Sequence, residues 1–315
     1  MRLFIFLSIA TAGLGFAGAQ DPQSNEDSPS LRISVNVELV ALPVTVRDAK
    51  GRPVVDLRER DFEVYENGVR QSVRVFRHED IPVTVGLVID HSGSMRPKLS
   101  QTIDAARTFV HASNPEDEMF VVNFNERVQV GLPSQVRFTN RFDQLEPAIL
   151  RAPAAGQTAL YDAVFDALTQ VGTGAREKRA LIVISDGGDN ASAHTLTDVL
   201  KLAARSTAAV YTIGIFDSDD PDRNPDILRR LAHATGGEAF FPQSDAIVAT
   251  CDYIAHDMRS QYLVGYVPTP TAQHAGYRSI RVTARAAGKG KLSVRTRTGY
   301  FAAVNSGIVK NRPSR

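Results

Sequence analysis

Apolar and polar residues alternate over the first part of the chain, from Leu31 to about residue 79. Four pairs of apolar residues two positions apart carry this pattern: Val35 and Val37, Val44 and Val46, Phe62 and Val64, and Val73 and Val75. Asn67-Gly68 separates two of the alternating runs, and this dipeptide is typical of a tight hairpin turn. The period of two predicts antiparallel β-structure here.

The pattern changes between residues 81 and 260, where short apolar runs alternate with amphipathic stretches. The runs predict strands at residues 83–89, 119–124, 180–184, 210–215 and 239–241. Three apolar faces repeat at helical spacing: Leu99, Ile103, Ala106 and Val110; Leu160, Val164, Leu168 and Val171; and Ile247, Cys251, Ile254 and Met258. Continuous apolar strands between such helices predict a mostly parallel sheet that is covered on both faces.

The period of two returns after residue 261, with predicted strands at residues 263–267, 280–284 and 292–294. Each flanking segment, 31–80 and 261–303, is short for an independent domain. We therefore expect the two to pair into one β-sandwich. The predicted fold class is α/β, with a doubly wound, mostly parallel sheet (residues 81–260) inserted in that sandwich.

Both ends of the chain differ in composition from the rest. Arg2 precedes an almost wholly apolar run to Phe16, and Ala17-Gly18-Ala19 follows, which is typical of a secretory signal peptide at residues 1–19. The alternative is an uncleaved anchor, but the run is short for a membrane span. Residues 20–30 predict a disordered linker and residues 304–315 a flexible tail. We expect an exported protein, periplasmic or secreted, without a stable membrane span after cleavage.

Composition limits the functional classes. The 36 Lys and Arg residues nearly balance the 35 Asp and Glu residues, which argues against a nucleic-acid partner bound through bulk charge. A single Cys rules out an intramolecular disulfide and any Cys-rich metal site. Cys251 lies on an apolar helical face, so we expect a buried thiol rather than a nucleophile.

Two carboxylates follow predicted strands of the central sheet. Asp90 directly follows the run at residues 83–89, and Asp186 follows the run at residues 180–184. Ligands of open parallel sheets bind at the carboxyl ends of the strands. We therefore expect these two side chains at one edge of the sheet.

Three hydroxyl groups are expected beside them. Ser92 and Ser94 have period-two spacing after Asp90, and Thr158 lies in a small-residue loop between the two strands. An all-oxygen set of this kind suits Mg²⁺, with Mn²⁺ or Ca²⁺ as alternatives, and lacks the His or Cys that zinc prefers. The two Asp charges would cancel the charge of the ion and leave an open position for a protein partner that presents a carboxylate.

The order D-x-S-x-S, a distant Thr and I-S-D-G resembles the metal-ion-dependent adhesion site of von Willebrand factor type A domains. The resemblance covers roughly residues 82–260. It implies that Ser92, Ser94 and Thr158 touch the metal through hydroxyls and that Asp90 and Asp186 hold it directly or through water. It also implies that Thr158 enters or leaves the metal shell as the domain switches state.

The flanks are similar to a bacterial exported family of proteins related to these domains. The similar phrases are D-F-E-V-Y-E-N-G at residues 61–68, Q-Y-L-V-G-Y at residues 261–266 and G-Y-F at residues 299–301. They bear on the fold more than on the function.

Three functions remain open at this point. The first is a metal-dependent binding or adhesion module, which is not an enzyme. The second is a structural component of an envelope complex, in which the metal only holds the loops of the domain together. The third is a Mg²⁺-dependent hydrolase, for which His91 is the only visible base near the cluster, although a rim position for His91 is favoured.

We expect Asp189 and Asn190 to be loop and cap residues, and the acidic run at residues 217–222 to be a solvated loop rather than a calcium site.

Overall fold

The computed structural model describes residues 39–78, 80–216, 223–269 and 276–302. The predicted signal peptide, linker, flexible tail and acidic loop lie outside these residues, as do Val35 and Val37. No helix of the described residues is long and apolar enough to cross a membrane.

A six-stranded sheet forms the centre of the described structure. Its strands are β5 (Val83–Asp90), β6 (Glu118–Phe124), β7 (Val128–Val130), β8 (Lys178–Ser185), β9 (Ala209–Gly214) and β10 (Ala239–Phe240), in the order β10-β9-β8-β5-β6-β7. All neighbours are parallel except β6 and β7. Every residue of β5 and β9 is buried, so both faces of these strands are covered.

Six helices accompany this sheet: α1 (Leu99–Ala112), α2 (Phe142–Ile149), α3 (Leu160–Val171), α4 (Leu196–Arg205), α5 (Pro225–Thr235) and α6 (Ile247–Arg259). Helix α1 packs against α2 and α6, and α4 packs against α3 and α5. Two of these helices begin at a capping side chain. Thr195 and Asp198 form a capping box at α4, and Asn224 caps α5 with Pro225 at its first turn.

Two four-stranded antiparallel sheets combine the flanking segments. Their strands are β1 (Val40–Arg47), β2 (Phe62–Glu66), β3 (Val69–Gln71), β4 (Val73–Arg77), β11 (Tyr262–Tyr266), β12 (Gly276–Ala284), β13 (Ser293–Arg295) and β14 (Gly299–Ala302). The orders are β13-β1-β11-β4 and β14-β12-β2-β3, so each sheet takes two strands from each flank. Residues of both sheets share one buried core, including Leu42, Val64, Val264 and Val282. The predicted fold class, an α/β sheet inserted in a β-sandwich, is confirmed.

Details differ from the sequence-based expectations. The predicted hairpin is confirmed: β2 pairs with β3, and Asn67 and Gly68 have φ angles of 48° and 80°. Several strand ends shift by one residue, as in β11 and β13. The short edge strand β7 was not predicted, because it is defined by its antiparallel pairing with β6.

A buried polar cluster joins the sandwich to the last helix of the central domain. Asp257 of α6 accepts hydrogen bonds from Arg47 of β1 and Arg295 of β13. Tyr211 of β9 also donates to Asp257, at 2.7 Å. Arg47 donates further to Glu238, which precedes β10. These bonds attach α6 to two strands of one sandwich sheet.

Candidate metal centre

The two predicted carboxylates lie at one edge of the central sheet. Strands β5 and β8 are parallel neighbours, Asp90 is the last residue of β5, and Asp186 directly follows β8. Both side chains are fully buried. The parallel pairing therefore brings together two charges that lie 96 positions apart in the sequence, as the rule for open sheets predicts.

Hydrogen bonds from nearby residues hold the Asp90 carboxylate in place. Its Oδ1 atom accepts a 2.8 Å bond from the backbone N–H of Ser92, and its Oδ2 atom accepts a 2.6 Å bond from the hydroxyl of Ser185. Ser185 is the last residue of β8, so it links the two strands at their ends. Its hydroxyl in turn accepts from the N–H of Gly187 at 2.9 Å.

Ser92, Ser94 and Asp186 form a continuous run of oxygen atoms. Ser92 Oγ and Ser94 Oγ lie 3.1 Å apart, and Ser94 Oγ donates to Asp186 Oδ2 at 2.6 Å. Neighbouring ligands of an octahedral Mg²⁺ ion with bonds near 2.1 Å are about 3 Å apart. The two hydroxyls therefore have the separation of adjacent ligands.

Thr158 lies in a third loop, which is bonded to both others. Gly93 N–H donates to the carbonyl of Gly156, and Ala155 N–H donates to that of His91, each at 2.9 Å. On the other side, Thr158 N–H donates to Asn190 Oδ1 at 2.8 Å. The backbone places Thr158, which is 5% exposed, between the loops that carry Asp90 and Asp186.

Lys98 also belongs to this cluster. It directly precedes α1, is only 2% exposed, and its Nζ atom lies 3.4 Å from Asp186 Oδ2. The same carboxylate oxygen thus receives the Ser94 hydroxyl and the Lys98 ammonium. Lys98 was not predicted from the sequence, although a lysine four positions after Ser94 is within reach of any group that Ser94 contacts.

Electrostatics favour a cation at this edge. Burial, together with the neighbouring charge of Asp186, raises the pKa of Asp90 to about 7. A buried ionised carboxylate is costly unless it is paired or binds a metal. Lys98 supplies one ammonium beside Asp186, so a further positive charge would stabilise the ionised form of both carboxylates.

The donor set fits a hard divalent cation. Two carboxylates and three hydroxyls are all oxygen ligands, the kind that Mg²⁺, Mn²⁺ and Ca²⁺ prefer. Among the described residues there is no group of three or more His, Cys, Asp or Glu side chains that would hold a metal by themselves. Hydroxyls would therefore have to complete any metal shell at this edge.

Gly187 explains how the Asp186 loop turns away from the sheet. Its φ angle is +85°, and a Cβ atom there would lie 2.3 Å from the carbonyl oxygen of Asn224. Asn224 N–H donates to the carbonyl of Asp186 at 2.8 Å. Only glycine allows this close approach between the site loop and the start of α5.

His91 does not lie at the rim, and that expectation was wrong. Its side chain is fully buried, and its Nε2 atom lies 3.1 Å from Asn123 Oδ1 on β6. Burial lowers the pKa of His91. His91 lies between Asp90 and Ser92, whose side chains belong to the cluster, and its own side chain points toward the neighbouring strand instead.

Asp189 and Asn190 organise the loop, as expected. Asp189 Oδ1 accepts bonds from the N–H of Tyr161, in the first turn of α3, and from the hydroxyl of Ser192. Asn190 holds the backbone of Thr158, as described above.

Cys251 is buried, and its Sγ atom contacts the carbonyl of Ala105 on α1 at 3.3 Å.

Known sequences and structures resemble the central part of this chain. The family model described as von Willebrand factor type A domain matches residues 85–188, which include all five predicted site residues. No curated protein matches the chain.

One solved structure supports this fold, and two others are similar to part of the chain. A von Willebrand factor type A protein from Catenulispora acidiphila shares 14% identity with a TM-score of 0.50, over 84% of this chain and 75% of that one. The corresponding domain of the type V pili tip protein Mfa5 from Porphyromonas gingivalis shares 15% identity with a TM-score of 0.48, over 56% of this chain and 94% of that one. Proximal thread matrix protein 1 from the mussel byssus, with a zinc-occupied MIDAS motif, shares 16% identity with a TM-score of 0.46, over 57% of this chain and 48% of that one. At these identities the likeness concerns the fold alone.

Proposed function

Because the central part of this chain is a von Willebrand factor type A domain, we propose that the protein is an exported binding module that uses a divalent metal to hold a protein partner. In this proposal Mg²⁺ lies among Asp90, Ser92, Ser94, Thr158 and Asp186. Mn²⁺ and Ca²⁺ are alternatives with the same ligand preference. A carboxylate of the partner completes the metal shell.

One observation carries the proposal: four of the five residues form a hydrogen-bonded cluster at the sheet edge. The contacts join Ser92 to Ser94 and Ser94 to Asp186, and Ser185 holds Asp90 beside them. The spacing of the hydroxyls matches adjacent octahedral positions, as derived above. Burial of both carboxylates supports a bound cation, because a metal relieves the repulsion between them.

The choice of a carboxylate partner follows from charge. Two Asp side chains balance a divalent ion, and the ammonium of Lys98 beside Asp186 leaves the centre with a net positive charge. Mg²⁺ keeps some of its ligand positions for water or substrate oxygens. An anionic oxygen of a partner is therefore the ligand that gains most from the open position.

Export rests on the amino-terminal sequence. Arg2, the apolar run to Phe16 and the small residues before Gln20 are typical of a cleaved signal. Periplasm and external medium are both consistent with this segment.

The two other functions have less support. In the structural alternative, the metal serves only to hold the loops together. The backbone hydrogen bonds Gly93–Gly156 and Asn190–Thr158 already join these loops. A hydrolase would need a base that reaches the substrate, and His91 is buried against Asn123.

Calorimetric titration of Mg²⁺ and Mn²⁺ into the EDTA-treated chain tests the proposed site. We expect binding by the wild type and its loss in Asp90→Asn and Asp186→Asn. Asp143→Asn is the matched control, because Asp143 is exposed and pairs with Arg141 at the surface. Equal binding in all four proteins would place the metal elsewhere.

The partner class is tested separately. An array of peptides with acidic side chains, each with its amide counterpart, is measured with Mg²⁺ and with EDTA. Capture that requires both the carboxylate and the metal supports the binding module. Capture that is unaffected by EDTA would favour the structural alternative.

A further inference from the structure

Lys98 is a buried cation at the candidate metal centre. Lysine is rarely buried unless its ammonium is paired. Here the side chain is 2% exposed, and its Nζ atom lies 3.4 Å from Asp186 Oδ2 in a salt bridge with a fully buried partner. The two residues lie 88 positions apart in the sequence, so the fold creates this contact.

The backbone of Lys98 is held firmly. A 3-10 turn runs over Gly93–Lys98 and leads directly into α1. The carbonyl of Lys98 accepts a 3.1 Å bond from the hydroxyl of Thr102, one turn into that helix. The ammonium is thus attached to the same short segment that carries Ser92 and Ser94.

We propose that Lys98 is a built-in counter-ion that stabilises the metal-free centre and competes with a divalent ion for Asp186. This inference rests on the proposed metal site. Asp186 Oδ2 accepts the Ser94 hydroxyl at 2.6 Å and faces the Lys98 ammonium at the same time. A divalent ion among Ser92, Ser94 and Asp186 would lie beside this ammonium and be repelled by it.

Two consequences follow. Without metal, Lys98 offsets part of the repulsion between Asp90 and Asp186, so the centre keeps its shape. With metal, the ammonium has to share or release Asp186, which weakens affinity. Lys98 would therefore set the metal concentration at which the site fills.

The test compares Lys98→Met, a substitution of similar length without charge, with the exposed control Lys201→Met on α4. Mg²⁺ affinity is measured by calorimetry at constant ionic strength, and the unfolding midpoint is measured in EDTA and in saturating Mg²⁺. We expect Lys98→Met to bind Mg²⁺ about tenfold more tightly or better, given that second-sphere groups change metal affinity by about 10- to 100-fold. Its unfolding midpoint should be lower than that of wild type in EDTA, and Mg²⁺ should close the gap.

Unchanged or weaker Mg²⁺ binding by Lys98→Met, with wild type binding normally, would overturn the inference. Lys98→Gln, which keeps a polar end, provides a second variant if Lys98→Met does not fold.

A double-mutant cycle separates this inference from the proposed function. Lys98→Gln and Asp186→Asn are combined, and stability is measured in EDTA. If none of the proteins binds Mg²⁺, the proposed function fails, and the counter-ion role is then tested by the cycle alone. Coupling between the stability effects of the two substitutions supports the role of Lys98, and additive effects overturn it.

Discussion

Asp257 Oδ1 accepts a 3.0 Å hydrogen bond from Nη2 of Arg47, although 210 residues separate the two along the chain. Asp257 lies at the end of α6 and is 1% exposed, whereas Arg47 lies in the first strand of the sandwich. Arg295, from the other flank, binds the second oxygen of the same carboxylate. One buried side chain therefore joins the central domain to both segments of the sandwich.

Asp257→Asn should destabilise the protein strongly. Removing one partner of a buried ion pair leaves the other charge uncompensated, and here two arginines would lose their carboxylate. We expect the free energy of unfolding to fall by about 3 kcal/mol, measured by urea denaturation. Asp226→Asn is the control, because Asp226 forms an exposed pair with Arg229 and should cost about 0.5 kcal/mol or less. Similar losses in both variants would contradict a special role for Asp257.

Thr158 can be tested as a metal ligand without changing the size of its side chain. Thr158→Val removes the hydroxyl, and we expect Mg²⁺ affinity to fall by about tenfold or more. Thr158→Ser keeps the hydroxyl and should retain most of the affinity. The two calorimetric titrations are compared directly. Equal affinity in both variants would mean that the hydroxyl does not contact the metal.

The charge of Asp90 predicts a pH dependence in EDTA. Its pKa in the folded protein is raised to about 7 by burial and by Asp186, whereas the unfolded value is near 4. The folded state therefore holds an extra proton between about pH 4 and 7, and its contribution to stability is lost as the pH rises through that window. The hydroxyl of Ser185 donates to this carboxylate, and the charge of Asp186 acts on it.

We expect the difference in unfolding free energy between wild type and Asp90→Asn to change across this window, with wild type losing stability relative to the variant as the pH rises. Saturating Mg²⁺ should reverse the trend, because a metal binds the ionised carboxylate. A difference that stays constant from pH 5 to 8 in EDTA would argue against the raised pKa.

Cys251 provides a probe of α6, since it is the only cysteine of the chain. Burial, with a smaller effect of the Asp252 charge, raises the pKa of its thiol to about 12. Only about one molecule in ten thousand would carry the reactive thiolate at pH 8. We expect iodoacetamide to label the native protein far more slowly than the urea-unfolded protein, as followed by mass spectrometry.

The same labelling tests whether the site communicates with α6. Cys251 packs on Ala105 of α1, and α1 follows the segment that carries Ser92, Ser94 and Lys98. If metal binding shifts α6, Mg²⁺ should change the labelling rate in wild type but not in Asp186→Asn. Identical rates with Mg²⁺ and EDTA would show that α6 stays in place.

Much of the fold could be predicted from local patterns. The period of two in the flanks and the continuous apolar strands at residues 83–89 and 180–184 reflect burial on one face or on both faces of a sheet. Asn67-Gly68 allowed one turn to be predicted because few residue pairs adopt two positive φ angles. Strand β7 and the exact ends of the other strands could not be predicted, because the length of a strand depends on its pairing with neighbouring strands.

The candidate site, like the fold, could be predicted only in part. Asp90, Ser92, Ser94, Thr158 and Asp186 were predicted because their spacing relative to the strands and their residue types carry the information. His91 was placed wrongly, since the direction of its side chain depends on Asn123 of the adjacent strand. Lys98 and Ser185 were missed, because their roles exist only once β5 and β8 lie side by side.

By itself, then, the sequence determined which segments are buried strands and helices and which oxygen atoms end two of those strands. These properties depend on hydrophobic periodicity and on residue type, both of which are local. The pairing of the two flanks into one sandwich was also predicted. The tertiary structure alone decided that each sandwich sheet takes two strands from each flank, that Asp257 lies between Arg47 and Arg295, and that a lysine ammonium reaches Asp186. Those contacts join residues 38 to 210 positions apart, and only the packing of the whole chain brings such groups within a few ångströms.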